Sequence, residues 1–295
     1  MSYDASGKNL NLDRANIEKL ARLSFEIGAI RPPSEGGSHS LLLRVTRNCP
    51  WSRCKFCYAM MYDRAKFQLR SVEDIKQDID IIKEIAEGIK AASWKLGYGG
   101  RMNEYVGTAL LESEPSLRIN QSFILVFNWL DLGAKTVFLQ DANSLIMPTN
   151  DLLEVLEYLR ETFPTVERVT SYARAKTLAK KTLDELKELR QAGLSRLHVG
   201  LETGDDELLK YVDKGVTSEE QIQAGRKAKE AGFELSEYVM PGLGGTERSD
   251  QHARNTARVL NEIDPDYIRL RPFVPGPGTP LYEEYSKGGF KLSSP

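Results

Sequence analysis

All three cysteines of this 295-residue chain, Cys49, Cys54 and Cys57, fall inside the stretch NCPWSRCKFC. An odd number of thiols packed so closely is a poor disulfide framework, and short-range clustering is how soft-metal ligands are usually spaced. Three thiolates on one turn can hold a metal centre. Structural zinc normally takes four ligands, and the only histidines that could complete the set are His39, His198 and His252, none at finger-like spacing. An iron–sulfur cluster held by three cysteines would leave one iron without a protein ligand, open to a small molecule. Three cysteines buried as small hydrophobes is the third reading. Arg47, Asn48, Ser52, Arg53 and Lys55 count against it, because they make the loop polar.

Such a loop needs a scaffold, and the length suits one large α/β domain or two ordinary ones, with a core that needs no disulfide. The expected compartment is reducing and cytoplasmic. The first twenty residues lack the apolar core of a signal peptide, and the longest apolar runs, such as FILVF at 123–127, are too short to cross a bilayer. With 40 basic and 42 acidic residues well mixed, the charge balance argues against nucleic acid as a partner and against a polybasic membrane anchor.

Apolar periodicity predicts a first amphipathic helix over 13–27, with Ile17, Leu20, Leu23 and Ile27 on one stripe, broken by RPPSEGGSHS. Strands are predicted at 41–46, 136–140, 168–173, 196–202, 233–240 and 266–273, with helices near 71–90, 119–132, 151–162, 178–192, 205–212, 218–231 and 250–263. Repeated βα units imply parallel strands, and right-handed crossovers curl six of them into a partial (β/α)6 barrel of TIM-like type. Residues 1–37 read as a helical lead-in and 38–295 as the barrel domain. Residues 91–118 interrupt the rhythm and read equally as a lid or as a disordered loop. In parallel α/β folds function gathers at the C-terminal strand ends, where the cysteine loop, QDANS, ETG and PGLGG all fall.

The cysteine loop, with Phe56 just before its last cysteine, resembles the cluster loop of the radical S-adenosylmethionine superfamily, whose usual pattern is C-x3-C-x2-C. HVGLETG, YVMPGLGG and VPGPGTPLYEEY match that superfamily's later strand ends in order, so the resemblance covers about 40–282. The nearest group is that of anaerobic iron–sulfur oxidoreductases related to oxygen-independent coproporphyrinogen oxidases and methylthiotransferase catalytic domains. Two departures stand out. One extra residue separates Cys49 from Cys54, and QDANS replaces the Gly-Gly-Glu-Pro of many members.

The resemblance implies a [4Fe–4S] cluster on Cys49, Cys54 and Cys57, with S-adenosylmethionine on the open iron, cleaved by one electron to methionine and a 5′-deoxyadenosyl radical. It also implies an external one-electron donor such as a flavodoxin or ferredoxin, and a small-molecule substrate. The cofactor's amino group would need acceptors from Gln140, Asp141 and Asn143, with Asp141 the first choice; its carboxylate would need Lys214 or Arg174. Glu202, Ser171 and Ser236 would face the ribose, the last two being strand serines that often bond only the backbone. Phe56, Gly242 in the PGLGG turn, Phe273 and Val274 would form the adenine slot. His198 shares a face with Arg196, Gly200 and Glu202 and reads first as a satisfied core histidine, second as a group meeting the substrate; Tyr172, Tyr238, Arg269 and Arg271 are further barrel candidates, the arginines reading equally as salt-bridged structural residues. Two cations alternating along one strand suit an anionic substrate.

Two alternatives stay open: a zinc-stabilised binding module, and an ordinary barrel enzyme using Glu202 or Asp141 as acid or base. With only three cysteines there is no set left for a second cysteine-ligated cluster, so methylthiolation ranks lower, and with no separate cobalamin or RNA-binding domain expected, so do methylation and tRNA modification.

Overall fold

The computed structural model describes residues 12–30, 40–57 and 66–293, so His39 and most of the RPPSEGGSHS break lie outside the described residues. Six parallel strands form one sheet: β1 (Leu41–Arg44), β4 (Thr136–Gln140), β5 (Arg168–Ala173), β6 (Leu194–Glu202), β7 (Glu234–Val239) and β8 (Tyr267–Leu270). Their spatial order is their chain order, and among the described residues β1 and β8 remain unpaired edges, so the barrel is partial. A two-stranded ribbon, β2 (Thr46–Arg47) with β3 (Gln68–Leu69), was not predicted; it takes the tail of the expected 41–46 strand.

Helix α1 (Arg14–Arg22) stops short of the expected residue 27, since Leu23 turns extended and the Phe25 N–H is spent on Ser122 Oγ at 3.1 Å. Helix α2 (Val72–Lys95) begins where the Ser71 hydroxyl accepts from the Asp74 N–H, and it lays Ile75, Ile79, Ile82 and Ile89 into the core. Each such side chain contributes about 1.5–3 kcal/mol of burial.

The segment 91–118 is neither lid nor loop. It completes α2, turns, forms α3 (Glu104–Ser113) capped by Asn103, and closes with a 3-10 turn at Pro115–Arg118, burying Val106, Leu110 and Leu117. A 24-residue helix carries its last turn about 35 Å from its first, so the segment lies far from the cysteine loop.

The remaining helices are α4 (Gln121–Asp131), α5 (Thr149–Thr162), α6 (Ala175–Lys180), α7 (Leu183–Gln191), α8 (Asp206–Tyr211), α9 (Ser218–Glu230), α10 (Ser249–Ile263) and α11 (Pro280–Ser286). The helix expected over 178–192 is split because Thr182 and Glu185 form a capping box that starts α7 afresh. No helix among the described residues is long and apolar enough to cross a membrane.

Strand alternation sorts the two faces of the sheet. On β6, Leu197, Val199 and Leu201 join the main core under the helices, leaving Arg196, His198, Gly200 and Glu202 on the concave face. On β7 the same rule sends Glu237 to the helix side with Leu235 and Val239. Burial pushes the Glu237 carboxyl well above its ordinary value, with Lys214 opposing and Glu202 adding to the shift, and its Oε2 has no hydrogen-bond partner.

A carboxyl whose folded value is raised contributes stability that is fully present below the unfolded value and lost as pH rises through the folded one. Glu237→Gln is therefore expected to gain in melting temperature over the parent, by an amount that grows as pH rises above the ordinary carboxylate range. A difference that stays constant or shrinks as pH rises contradicts the assignment.

Candidate active site

The cysteine loop leaves β2 through two residues with positive φ, Asn48 (65°) and Ser52 (46°). Asn tolerates the left-handed region because its short side chain can bond locally. The Asn48 N–H donates to Asp141 Oδ2 at 3.0 Å, which ties the loop's start to the end of β4. Further along, the Trp51 indole N–H donates to the Asp213 carbonyl at 2.6 Å, and the Lys55 N–H donates to the Val212 carbonyl at 2.9 Å. The Lys55 carbonyl accepts from the Leu281 N–H at 3.1 Å, and the Lys55 ammonium pairs with Glu284 at 2.8 Å. The loop is thus pinned on one side by β4 and on the other by α8 and α11.

Phe56 is buried in a small apolar cluster with Leu208, Val212, Leu243, Phe273, Leu281 and Phe290, against which Cys54 and Cys57 pack. The turn after β7 reaches the same cluster. Gly242 takes a φ of +83° there, which a side chain rarely adopts, and the Phe273 N–H donates to the Pro241 carbonyl at 2.8 Å. Phe56, Gly242 and Phe273, named from the sequence as an adenine slot, therefore belong to one connected corner.

Next to Phe56 sits a buried ion pair. Lys214 Nζ lies 3.0 Å from Glu202 Oε1 and 5.6 Å from the centre of the Phe56 ring. Burial alone would lower the Lys214 ammonium, but the Glu202 carboxylate and the Cys54 thiol together hold it above its ordinary value. Burial pushes the Cys54 thiol up to about 12, with Lys214 pulling the other way. Glu202 ends β6 with φ 63°, and a Cβ on Gly200 would run into Glu202 Oε1 and lie 2.9 Å from Lys214 Nζ, so glycine is what leaves room for the pair.

Arg174 donates to the Lys214 carbonyl at 2.8 Å and stands 5.0 Å from the Trp51 ring centre. Asn143 is fully engaged: its Oδ1 accepts from the Arg174 N–H at 3.0 Å and its Nδ2 donates to Thr177 Oγ1 at 2.9 Å. Asp141 Oδ2 accepts from Arg44 Nε and the Arg44 terminal nitrogen at 3.1 and 2.7 Å, while buried Oδ1 has no hydrogen-bond partner. Ser171 Oγ is spent on the Tyr172 carbonyl at 3.0 Å, and Ser236 accepts from Arg269 Nε at 3.1 Å. Phe138, Tyr172, His198 and Tyr238 meet ring to ring at 5.3–6.3 Å on the concave face. Burial and the neighbouring Tyr238 raise the Tyr172 phenol well above its usual range.

All three cysteines are free thiols and half-buried; the Cys57 N–H donates to the Cys54 carbonyl at 3.1 Å. Among the described residues, no three His, Cys, Asp or Glu side chains converge closely enough to enclose a metal ion as they stand. The donor chemistry nevertheless fits a thiolate-bound cluster. The Lys214 ammonium partly offsets the burial that keeps the Cys54 thiol protonated, and the unpartnered Asp141 Oδ1 is an acceptor left over beside the loop. What sequence reading missed are the contacts that carry no local pattern: the Glu202–Lys214 pair, the Trp51–Asp213 bond, and the arginines around Asp141.

Residues 125–257 match the family model described as the radical SAM superfamily. Over that stretch the chain is similar to the superfamily. The match runs from α4 into α10 and leaves out the cysteine loop. Radical SAM proteins are enzymes whose cofactors are a [4Fe–4S] cluster and S-adenosylmethionine. Among relatives, a tRNA uridine(34) acetyltransferase of Methanocaldococcus jannaschii is 28% identical over 108 residues, 36% of this chain and 20% of that protein. The heme chaperone HemW of Bacillus subtilis is 25% identical over 160 residues, 54% and 41% of the two chains. Coproporphyrinogen III oxidase of Escherichia coli, described as a radical SAM enzyme, superposes with a TM-score of 0.53 at 16% identity, over 96% of this chain and 52% of that one. The chain thus spans well under half the length of these two relatives. The charge-based argument against nucleic acid does not survive the first of them, which is named for a tRNA uridine.

The buried pair yields a test. Glu202→Gln and Lys214→Met each leave a buried charge unpaired and are expected to cost about 3 kcal/mol in denaturant unfolding, with the double variant recovering at least half. Single variants that unfold with the parent would show that the two charges are not coupled.

Proposed function

We propose that Cys49, Cys54 and Cys57 hold the [4Fe–4S] cluster and that the surrounding strand ends hold S-adenosylmethionine for hydrogen abstraction from a substrate in the barrel. The observation that carries this reading is the buried Lys214–Glu202 pair set against Cys54 and Phe56, a cation and a carboxylate held beside the thiols where little water reaches. When bound, the reduced cluster supplies the electron that cleaves S-adenosylmethionine to methionine and a 5′-deoxyadenosyl radical.

The chain's own residues bind and orient. Lys214 and Arg174 offer cations to the cofactor carboxylate, Asp141 Oδ1 accepts from its amino group, and Glu202 accepts from the ribose hydroxyls. Phe56, Phe273 and the Gly242 turn take the adenine. Asn143, Ser171 and Ser236 act one step back: Asn143 fixes the Arg174 backbone, Ser171 bonds the strand and Ser236 orients Arg269.

Arg269 on β8 and Arg271 just past its end lie near the Tyr172 phenol. Two cations beside an aromatic wall suit a small anion with a flat or apolar body. The tRNA-modifying relatives favour a second reading, in which a nucleobase of an RNA meets the same aromatic wall. An acidic one-electron carrier of the flavodoxin or ferredoxin type serves as donor.

Anaerobically reconstituted protein with dithionite and S-adenosylmethionine is expected to form 5′-deoxyadenosine, and Cys49→Ala, Cys54→Ala and Cys57→Ala each abolish it, as read by chromatography. Production that survives all three substitutions, or that never appears in the parent, contradicts the reading. Arg269→Ala with Arg271→Ala should leave uncoupled 5′-deoxyadenosine formation within about threefold of the parent, since neither touches the cofactor corner.

A further inference from the structure

Among the described residues the cysteine loop hangs from two anchors, and the second, formed by Asp213, Val212 and Leu281, lies on the Cys54 and Cys57 side. The first lies just before Cys49 and is built from a residue far away in sequence. Glu26, in the lead-in after α1, receives three arginines. Its Oε1 accepts from an Arg44 terminal nitrogen at 2.9 Å and from Arg47 Nε at 2.6 Å. Its Oε2 accepts from an Arg47 terminal nitrogen at 2.5 Å and lies 3.2 Å from Arg70 Nε.

Each arginine reaches something that shapes the loop. Arg47 is two residues before Cys49, and its fork is closed on Glu26. Arg44 passes the connection to Asp141 Oδ2, which in turn accepts the Asn48 N–H at the left-handed turn. Arg70 ties in the strand returning from the loop, donating to the Arg44 carbonyl at 2.7 Å and to Asp78 at 2.6 Å.

Three arginines so close together repel one another unless carboxylates intervene, and Glu26, Asp141 and Asp78 supply one each. Arg47 and the other two arginines hold the Glu26 carboxyl below its ordinary value against its burial. The lead-in is itself fixed: Gln140, the last residue of β4, exchanges hydrogen bonds with Gly28, its Oε1 accepting at 2.9 Å and its Nε2 donating at 3.1 Å. Glu26 is thus presented from a braced segment.

We infer that Glu26 is a positioning residue for Cys49, a carboxylate latch that sets the loop's first thiol independently of the other two. The inference concerns which thiol Glu26 governs, and it deepens the cluster reading without requiring iron to be present in its test.

In the full-length metal-free chain, the labelling rate of each cysteine by N-ethylmaleimide is read by peptide mass spectrometry. Glu26→Gln, which keeps shape and removes charge, is expected to label Cys49 about tenfold faster, the size of a lost charge-assisted bond, with Cys54 and Cys57 within about twofold of the parent. Glu26→Asp, which keeps the carboxylate, should return Cys49 to within about threefold of the parent.

If Glu26→Gln fails to fold, Arg47→Gln removes the same fork from the loop side and is expected to give the same selective change. Unchanged Cys49 labelling, or equal acceleration at all three thiols, overturns the inference. A chain that shows the selective effect yet never binds iron would keep the latch and refute the cluster, so the two failures are separable.

Discussion

Lys214 carries its charge in a place with almost no water, and much of the site follows from that. A buried ammonium is tolerated only with a carboxylate against it. Glu202 provides that carboxylate from the end of β6, in a left-handed conformation that aims it back over the sheet. Gly200 leaves open the space that the pair fills, with Phe56 and Cys54 beside it. A cation held this way lies within electrostatic reach of Cys54 and partly offsets the burial that keeps that thiol protonated. The same pair is available to the charged groups of an amino-acid-like cofactor.

The parallel sheet makes this concentration of groups possible. Because every strand points the same way, the loops after β1, β4, β5, β6, β7 and β8 share one rim, and residues more than two hundred positions apart meet there. The corner formed by Phe56, the Gly242 turn and Phe273 joins the loops after β1, β7 and β8. The concave face beneath carries aromatic rings and arginines, whereas the convex face under the helices is mostly aliphatic, with Glu237 buried among it. Chemistry and stability are thereby assigned to opposite sides of the same strands.

Local pattern made most of this architecture legible. The strands at 136–140 and 168–173 coincide with prediction, and the others agree to within a few residues, because apolar runs bounded by glycine and polar residues are short-range signals. The losses have equally local causes. A capping box at Thr182 divides one predicted helix, and the extended Leu23 ends another early. The segment 91–118 looked structureless because its apolar residues are shared among a helix end, a short helix and a 3-10 turn. In the site, the cysteines were legible from spacing. The partners of Lys214, Asp141 and Asn143 were not, because an ion pair or a shared hydrogen bond between distant residues leaves no periodic trace. Glu26 reads in sequence as one more charge on an amphipathic helix, and only the fold turns it toward three arginines.

The central claim is that the three thiols bind a cluster whose remaining iron is open to S-adenosylmethionine. The most direct measurement is the EPR spectrum of the anaerobically reconstituted, dithionite-reduced protein, recorded with and without S-adenosylmethionine. The account predicts a reduced [4Fe–4S] signal whose g-values shift when the cofactor is added, and which is absent from the Cys49→Ala protein. A colourless protein that retains one zinc ion and gives no such signal would contradict it.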